Sequence, residues 1–282
     1  MEDLNKYCAP GTSHTDEMVA ISDQVKLQLI TFSGPAANKN PPVVFVAGWV
    51  SLISGWQTVL IEMTRTHKVY YIETREKISS QVSGRVTYDV DAIGGDVEHL
   101  IEHLGLGEQG YILFGSSLGA TAILNSYSRL KCKPAGMVLV APNAVFRVPL
   151  TWKIIVKVFY PPLYALIKPS VKWYLRTFRL NLNTDRAQYD KYSRALDAGD
   201  PWKLKKAVLA LAKYQVWPVL GKIDCPTLIV GASKDKLHEP ENMRRIVEML
   251  PDASYVDLET NKQTHSVAMV EAMEQFLSKL SK

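Results

Sequence analysis

The chain has 282 residues, 47% of them hydrophobic and 22% charged, a balance that suits a globular protein with a sizeable core and excludes a disordered or fibrous one. The net charge of +5 is modest, no apolar run approaches a bilayer span, and the charged start Met1-Glu2-Asp3-Leu4-Asn5-Lys6 lacks the apolar stretch of a secretory signal. Three cysteines (Cys8, Cys132, Cys225), odd in number and without metal spacing, argue against a disulfide framework and lead us to expect a cytoplasmic protein.

Residues 1–16 are polar, contain Pro10-Gly11 and read as an irregular arm. Residues 18–21 and 25–30 alternate apolar and polar side chains around Ser22-Asp23, which predicts an antiparallel hairpin. After a loop over 34–42, residues 43–48 are continuously apolar and predict a strand buried on both faces. A helix is expected over 54–66, a strand over 68–73, and then a polar loop. Helical periodicity runs through Ile93, Val97, Leu100, Ile101 and Leu104, and Gly105 ends it. A buried strand over 111–114 leads into a helix over 120–130, and a strand follows over 137–141. Beyond a long basic segment come a strand over 226–231, a helix over 239–250, a strand over 254–258 and a helix over 265–280. Strands alternating with helices predict a mainly parallel, doubly wound sheet with helices on both faces. In such sheets ligands sit beyond the carboxyl ends of the strands, where Gly48, Glu73, Ser117, Pro142 and Gly231 fall.

One stretch organises the rest. After the strand over 111–114 the chain reads Gly115-Ser116-Ser117-Leu118-Gly119, a G-x-S-x-G pentapeptide between a strand and a helix. A strand-to-helix turn this tight strains the middle serine, and Gly115 and Gly119 give room where a Cβ would clash. The turn exposes Ser117 Oγ at the N-terminus of a helix, where free N–H groups stabilise developing negative charge. A serine needs a base to take its proton, and the base needs a group that fixes its tautomer. Asp235 lies in the loop after the strand over 226–231, and His265 follows the last strand. The order Ser117, Asp235, His265 is that of elbow-type hydrolases.

The elbow, the Gly231…Asp235…Pro240 loop and His265 with Glu271 behind it make the chain similar to the α/β-hydrolase superfamily, from about residue 18 to residue 280. The resemblance implies an α/β-hydrolase fold with an eight-stranded sheet. A core of residues 1–142 and 220–282 would carry an inserted helical cap over residues 143–219. It implies catalytic roles for Ser117, Asp235 and His265, and an oxyanion hole from the Trp49 and Leu118 N–H groups. Where many relatives have His-Gly this chain has Ala47-Gly48. Where relatives often have Asp-x-Arg-Gly-x-Gly-x-Ser it has Glu73-Thr74-Arg75-Glu76-Lys77-Ile78-Ser79-Ser80.

Residues 144–216 hold fourteen basic and four acidic residues, a charge of +10 against −5 for the remainder. Trp152, Phe159, Tyr160, Tyr164 and Trp173 lie there as candidates to line an acyl pocket, and Pro161-Pro162 should split the segment into short helices. The activity expected is hydrolysis of carboxylic esters with a lipophilic acyl group, by way of an acyl-enzyme. A thioesterase or acyltransferase, a C–C bond hydrolase and a non-catalytic receptor share the same framework. No metal or organic cofactor is implied, and no nucleic-acid module is present. The partners expected are a lipophilic ester or thioester and, at the basic cap, an anionic membrane or acidic surface. His99 and His103, one helical turn apart, read as a solvated face in the absence of a third ligand. His238 reads as a loop residue, and His14 and His67 carry no signal.

Overall fold

The computed structural model describes residues 3–35, 40–107, 110–146, 148, 150–180, 186–235 and 240–280. Among these, nine strands share one sheet: β1 (Ser13–Ser22), β2 (Val25–Ser33), β3 (Val43–Val46), β4 (Val69–Ile72), β5 (Gln81–Val82), β6 (Ile112–Ser116), β7 (Gly136–Val140), β8 (Thr227–Gly231) and β9 (Ala253–Asp257). Eight follow the path β1-β2-β4-β3-β6-β7-β8-β9, and β5 pairs with β2 beside it. The β1/β2 and β2/β4 pairs are antiparallel, and from β4 to β9 the sheet is parallel.

The helices, in chain order, are α1 (Gln57–Met63), α2 (Val90–His103) and α3 (Leu118–Ser126), then α4 (Leu150–Val158), α5 (Tyr164–Tyr174), α6 (Arg186–Ala198), α7 (Pro201–Leu211) and α8 (Trp217–Leu220) between β7 and β8, and finally α9 (Pro240–Met249) and α10 (Val267–Leu280). The central strands lack period-two patterning because both of their faces are covered. Val44, Val46, Leu113, Leu139 and Ile229 pack with Val97, Ile123 and Ile246 of α2, α3 and α9. Their neighbours along the strands, Val43, Phe45, Phe114, Val138 and Val230, pack on the other side with Leu60 of α1 and Met269 and Met273 of α10.

Several boundaries differ from the sequence reading. β1 starts at Ser13, inside the expected arm; as the sheet's edge strand it is mostly exposed, so its polar residues carry no burial signal. Leu4 and Tyr7 form a buried 3-10 turn against the sheet. The expected polar loop contains β5, and the helix expected over 54–66 divides into a 3-10 turn (Ile53–Trp56) and α1. His265 sits in a 3-10 turn (Gln263–His265) just ahead of α10 rather than opening it.

Prolines divide the helices between β7 and β8. Tyr160 is extended (φ −88°, ψ 113°), as a residue before proline prefers, and Pro161–Leu163 forms a 3-10 turn between α4 and α5. Past α5 the chain makes one π-helical turn, Leu175–Arg179. Lys203 clamps this segment to the core: its Nζ, on α7, donates to Lys77 O, Ser80 O and Ser80 Oγ at 2.6, 2.7 and 2.7 Å. Burial pulls the Lys203 ammonium below its ordinary pKa.

Candidate active site

β3 lies between β4 and β6, so the chain leaves it first to one side and then to the other. In sheets of this kind such a reversal marks where a ligand site lies, at the carboxyl ends of β3 and β6. Ser117 stands there as the residue between β6 and α3, with φ 50° and ψ −113°, a conformation that β-carbon sterics disfavour. Gly115 is required because a Cβ would lie 2.7 Å from Ala120 Cα, across the turn. Gly119 is required for a different reason, since its Cβ would reach the carbonyl oxygens of Val46 and Ala47 on the β3 side. Val50, Ala141 and Glu259 also have positive φ, each following the carboxyl end of a parallel strand. Strain in the described chain outside glycine is thus gathered at the edge where the candidate site lies.

Ser117 Oγ donates to Asn143 Oδ1 at 2.7 Å. Asn143 is held in turn by Thr121, whose Oγ1 accepts from Asn143 N at 2.8 Å and reaches Ser117 O and Asn143 O at 3.0 and 3.1 Å. The sequence reading did not single out Asn143. Its position just past β7, at the same sheet edge as Ser117, was the available signal.

His265 is stacked on Trp56 with ring centroids 4.0 Å apart, and Trp56 packs edge-on against Phe114 of β6. Its Nδ1 lies 2.9 Å from Asn261 O and 3.0 Å from Thr264 Oγ1. Its Nε2 lies 3.1 Å from Lys191 Nζ. An ammonium only donates and a carbonyl oxygen only accepts, so these contacts put the proton on Nδ1 and a lone pair on Nε2. That tautomer lets an imidazole accept a proton at Nε2. Asp235 is buried, 5% exposed, and its Oδ1 accepts from Gln188 Nε2 at 3.1 Å. Gln188 and Lys191 are three residues apart on α6, so one turn of this helix touches both Asp235 and His265.

Gly48 packs against the elbow: a Cβ there would lie 3.2 Å from Ser117 Cβ. This sets the loop that carries Trp49 beside Ser117, while Leu118 is the first residue of α3, where an N–H has no intrahelical acceptor. The aromatic residues expected around an acyl chain are dispersed. Tyr164 turns inward, with its hydroxyl on Leu196 O at 3.0 Å, and Phe159 is half-buried. Tyr160, between α4 and α5, and Trp173 of α5 face solvent, paired edge-on with Trp202 and Phe178. The Trp152 side chain, His238 and Glu239 lie outside the described residues.

Arg75, kept from the motif after β4, is structural here. It grips Asp96 of α2 through Nε at 2.7 Å and Nη2 at 2.5 Å and also donates to Thr87 O and Ala92 O. Beside it Glu76 is buried, which raises its carboxyl above the usual range. His99 and His103 are exposed, and the described residues contain no metal-ligating group of three. His67, which carried no sequence signal, is buried and joins Pro41 O at 2.8 Å to Glu274 Oε1 of α10 at 2.9 Å.

A family model described as serine aminopeptidase, S33, matches residues 79–267, two-thirds of the chain including Ser117, Asp235 and His265. The chain belongs to this family of α/β hydrolases. No curated protein matches it. Among solved structures, a thermophilic esterase from Thermogutta terrifontis is 18% identical with a TM-score of 0.74, over 96% of this chain and 100% of that one. The enol-lactonase from Burkholderia xenovorans LB400 is 17% identical with a TM-score of 0.76, over 93% and 100%. A putative lipase from Acinetobacter baumannii is 18% identical with a TM-score of 0.72, over 99% and 94%. At these identities the likeness is one of fold, and it extends over the helical segment between β7 and β8 as well as the sheet. This α/β hydrolase has no described helix long and apolar enough to cross a membrane.

Proposed function

We propose that the chain is a serine hydrolase of carboxylic esters with a lipophilic acyl group. The observation that carries the reading is Ser117, held in a strained conformation at the carboxyl edge of the sheet and at the head of α3. Ser117 Oγ attacks the acyl carbon and His265 Nε2 takes its proton. The tetrahedral oxyanion accepts hydrogen bonds from the Trp49 and Leu118 N–H groups, and the alcohol leaves with the proton from His265. Water then adds to the acyl-enzyme by the same steps in reverse, releasing the acid and restoring the serine. In this reading Asp235 orients and stabilises His265 once the Nδ1–H turns from Asn261 O to its carboxylate. For attack, the Ser117 hydroxyl turns from Asn143 to His265, and the Lys191 ammonium leaves the Nε2 lone pair that it holds.

In this reading residues 143–219 form a lid over a core of residues 1–142 and 220–282. The lid offers a surface to an anionic membrane or an acidic partner. Leu150, Val158, Leu166, Trp173 and Phe178 are 72, 77, 74, 60 and 59% exposed on α4, α5 and the π turn, interleaved with Lys153, Lys157, Lys168 and Lys172. Apolar and aromatic side chains set among lysines suit the interface of an anionic bilayer.

The test is hydrolysis of 4-nitrophenyl esters of increasing acyl length by the wild type and by Ser117→Ala. Turnover that rises toward medium or long chains and is lost in the variant supports the reading. Turnover confined to acetate and butyrate removes the lipophilic acyl group from it, and a folded wild type that cleaves no ester overturns it.

A further inference from the structure

Helix α6 brings a cation to the nitrogen that must become positively charged in the reaction. Lys191 Nζ lies 3.1 Å from His265 Nε2 and 2.8 Å from Asn261 Oδ1. The approach is built in: the Lys191 stem passes Gly55, where a Cβ would lie 3.3 Å from Lys191 Cδ, and its ammonium lies over the Tyr192 ring. Gln188, one turn earlier and 6% exposed, docks the same helix on Asp235.

From this geometry we infer that Lys191 is a specificity-determining residue that selects esters whose acyl group carries a carboxylate within two or three carbons of the scissile carbonyl. The inference rests on the ester-hydrolase reading and replaces its lipophilic acyl group with an anionic one. When His265 takes the Ser117 proton, an imidazolium forms beside an ammonium, and two like charges at this separation repel. With a neutral ester the ammonium must leave Nε2 unassisted to free the lone pair that takes the Ser117 proton, and it stays near the imidazolium that forms. A carboxylate on the substrate pairs with Lys191, draws the ammonium off Nε2 and offsets the repulsion as the imidazolium forms. The interaction is stronger in the transition state than in the ground state, so it accelerates the chemical step. One ammonium supplies a single positive charge, which a carboxylate monoanion balances and a phosphate dianion exceeds. Reach sets the position. Nε2 works within hydrogen-bond distance of the reacting oxygens, so a group paired with Lys191 is only a few bonds from the acyl carbon.

Two substrates differing in one charge test this: 4-nitrophenyl hemisuccinate and its methyl ester, 4-nitrophenyl methyl succinate. We expect wild-type kcat/KM to favour the hemisuccinate by about 10- to 100-fold, the scale of a charge-assisted hydrogen bond. Lys191→Met should bring that ratio close to one, and Lys191→Arg should keep most of it. Should Lys191→Met fold poorly, product inhibition of the wild type supplies a second reading: succinate should inhibit hydrolysis of the methyl ester at lower concentrations than monomethyl succinate does. A wild type that cleaves the methyl ester equally well or better overturns the inference and leaves the ester-hydrolase reading standing. So does Lys191→Met accelerating both esters equally, the behaviour of a plug. A wild type that cleaves neither ester while Ser117 resists acylation removes both.

Discussion

The carboxyl edge of the sheet and the α4–α5 face have been built to opposite specifications. At the sheet edge every strand residue of β3, β4, β6, β7 and β8 is buried, and the strain at Ser117 is held by packing on both sides. On α5 no described residue is buried, and Leu166 and Trp173 point into solvent. A strained conformation persists only where its surroundings over-determine it, so the serine we propose as nucleophile belongs on the first surface. An exposed apolar patch costs little while it remains exposed and gains on meeting an apolar partner, so the proposed docking surface belongs on the second. α6 spans the two: it carries Gln188 and Lys191 to Asp235 and His265 from within the segment that also carries the patch.

If the sheet edge is a tightly determined frame, breaking its buried charge pair should have the largest effect. Arg75→Met leaves Asp96 buried without its guanidinium and should cost about 3–5 kcal/mol of unfolding free energy, read from urea denaturation. Next, Ser117→Gly removes the Cβ that makes φ 50° costly. It should abolish turnover and yet raise stability by about 1 kcal/mol, strain relief exceeding the added backbone entropy; a destabilised variant would contradict stored strain. Away from the site, Glu274→Ala takes the carboxylate from buried His67 and should cost about 1 kcal/mol. The hydrogen bond from His67 holds the Glu274 carboxyl below its ordinary pKa, against the opposing effect of burial. Its contribution is therefore complete above the unfolded carboxyl value of 4.5 and fades as pH falls through the folded one, so wild type and variant should converge in acid. The smallest effect on stability belongs to the patch. Leu166→Ser with Trp173→Ser should change stability by about 0.5 kcal/mol or less, yet weaken sedimentation with phosphatidylglycerol vesicles several-fold.

What could be read in the sequence follows the same division. β3, β6, β7 and β8 were legible because burial on both faces leaves a continuous apolar run, and the elbow because its two glycines answer to steric demands that no other residue meets. The start of β1 and all of β5 were not, since edge positions exposed to water impose no pattern. Asp235 and His265 could be placed after their strands. Gln188 and Lys191 could not be linked to them, because contacts between an inserted helix and the sheet edge have no spacing in the chain. Exposure on α4 and α5 was hidden for a related reason: their apolar residues have the composition of packed helices, and only the fold shows that the face is uncovered.

The central claim is that Ser117 is a nucleophile activated by His265, and covalent capture tests it most directly. The protein would be treated with an alkyl fluorophosphonate and the adduct located by intact mass and peptide mapping. The account predicts one phosphonyl group on Ser117, none on Ser117→Ala, and labelling slowed by at least 1,000-fold in His265→Ala. A folded wild type that remains unlabelled, labelling at a residue other than Ser117, or equally fast labelling of His265→Ala would contradict it.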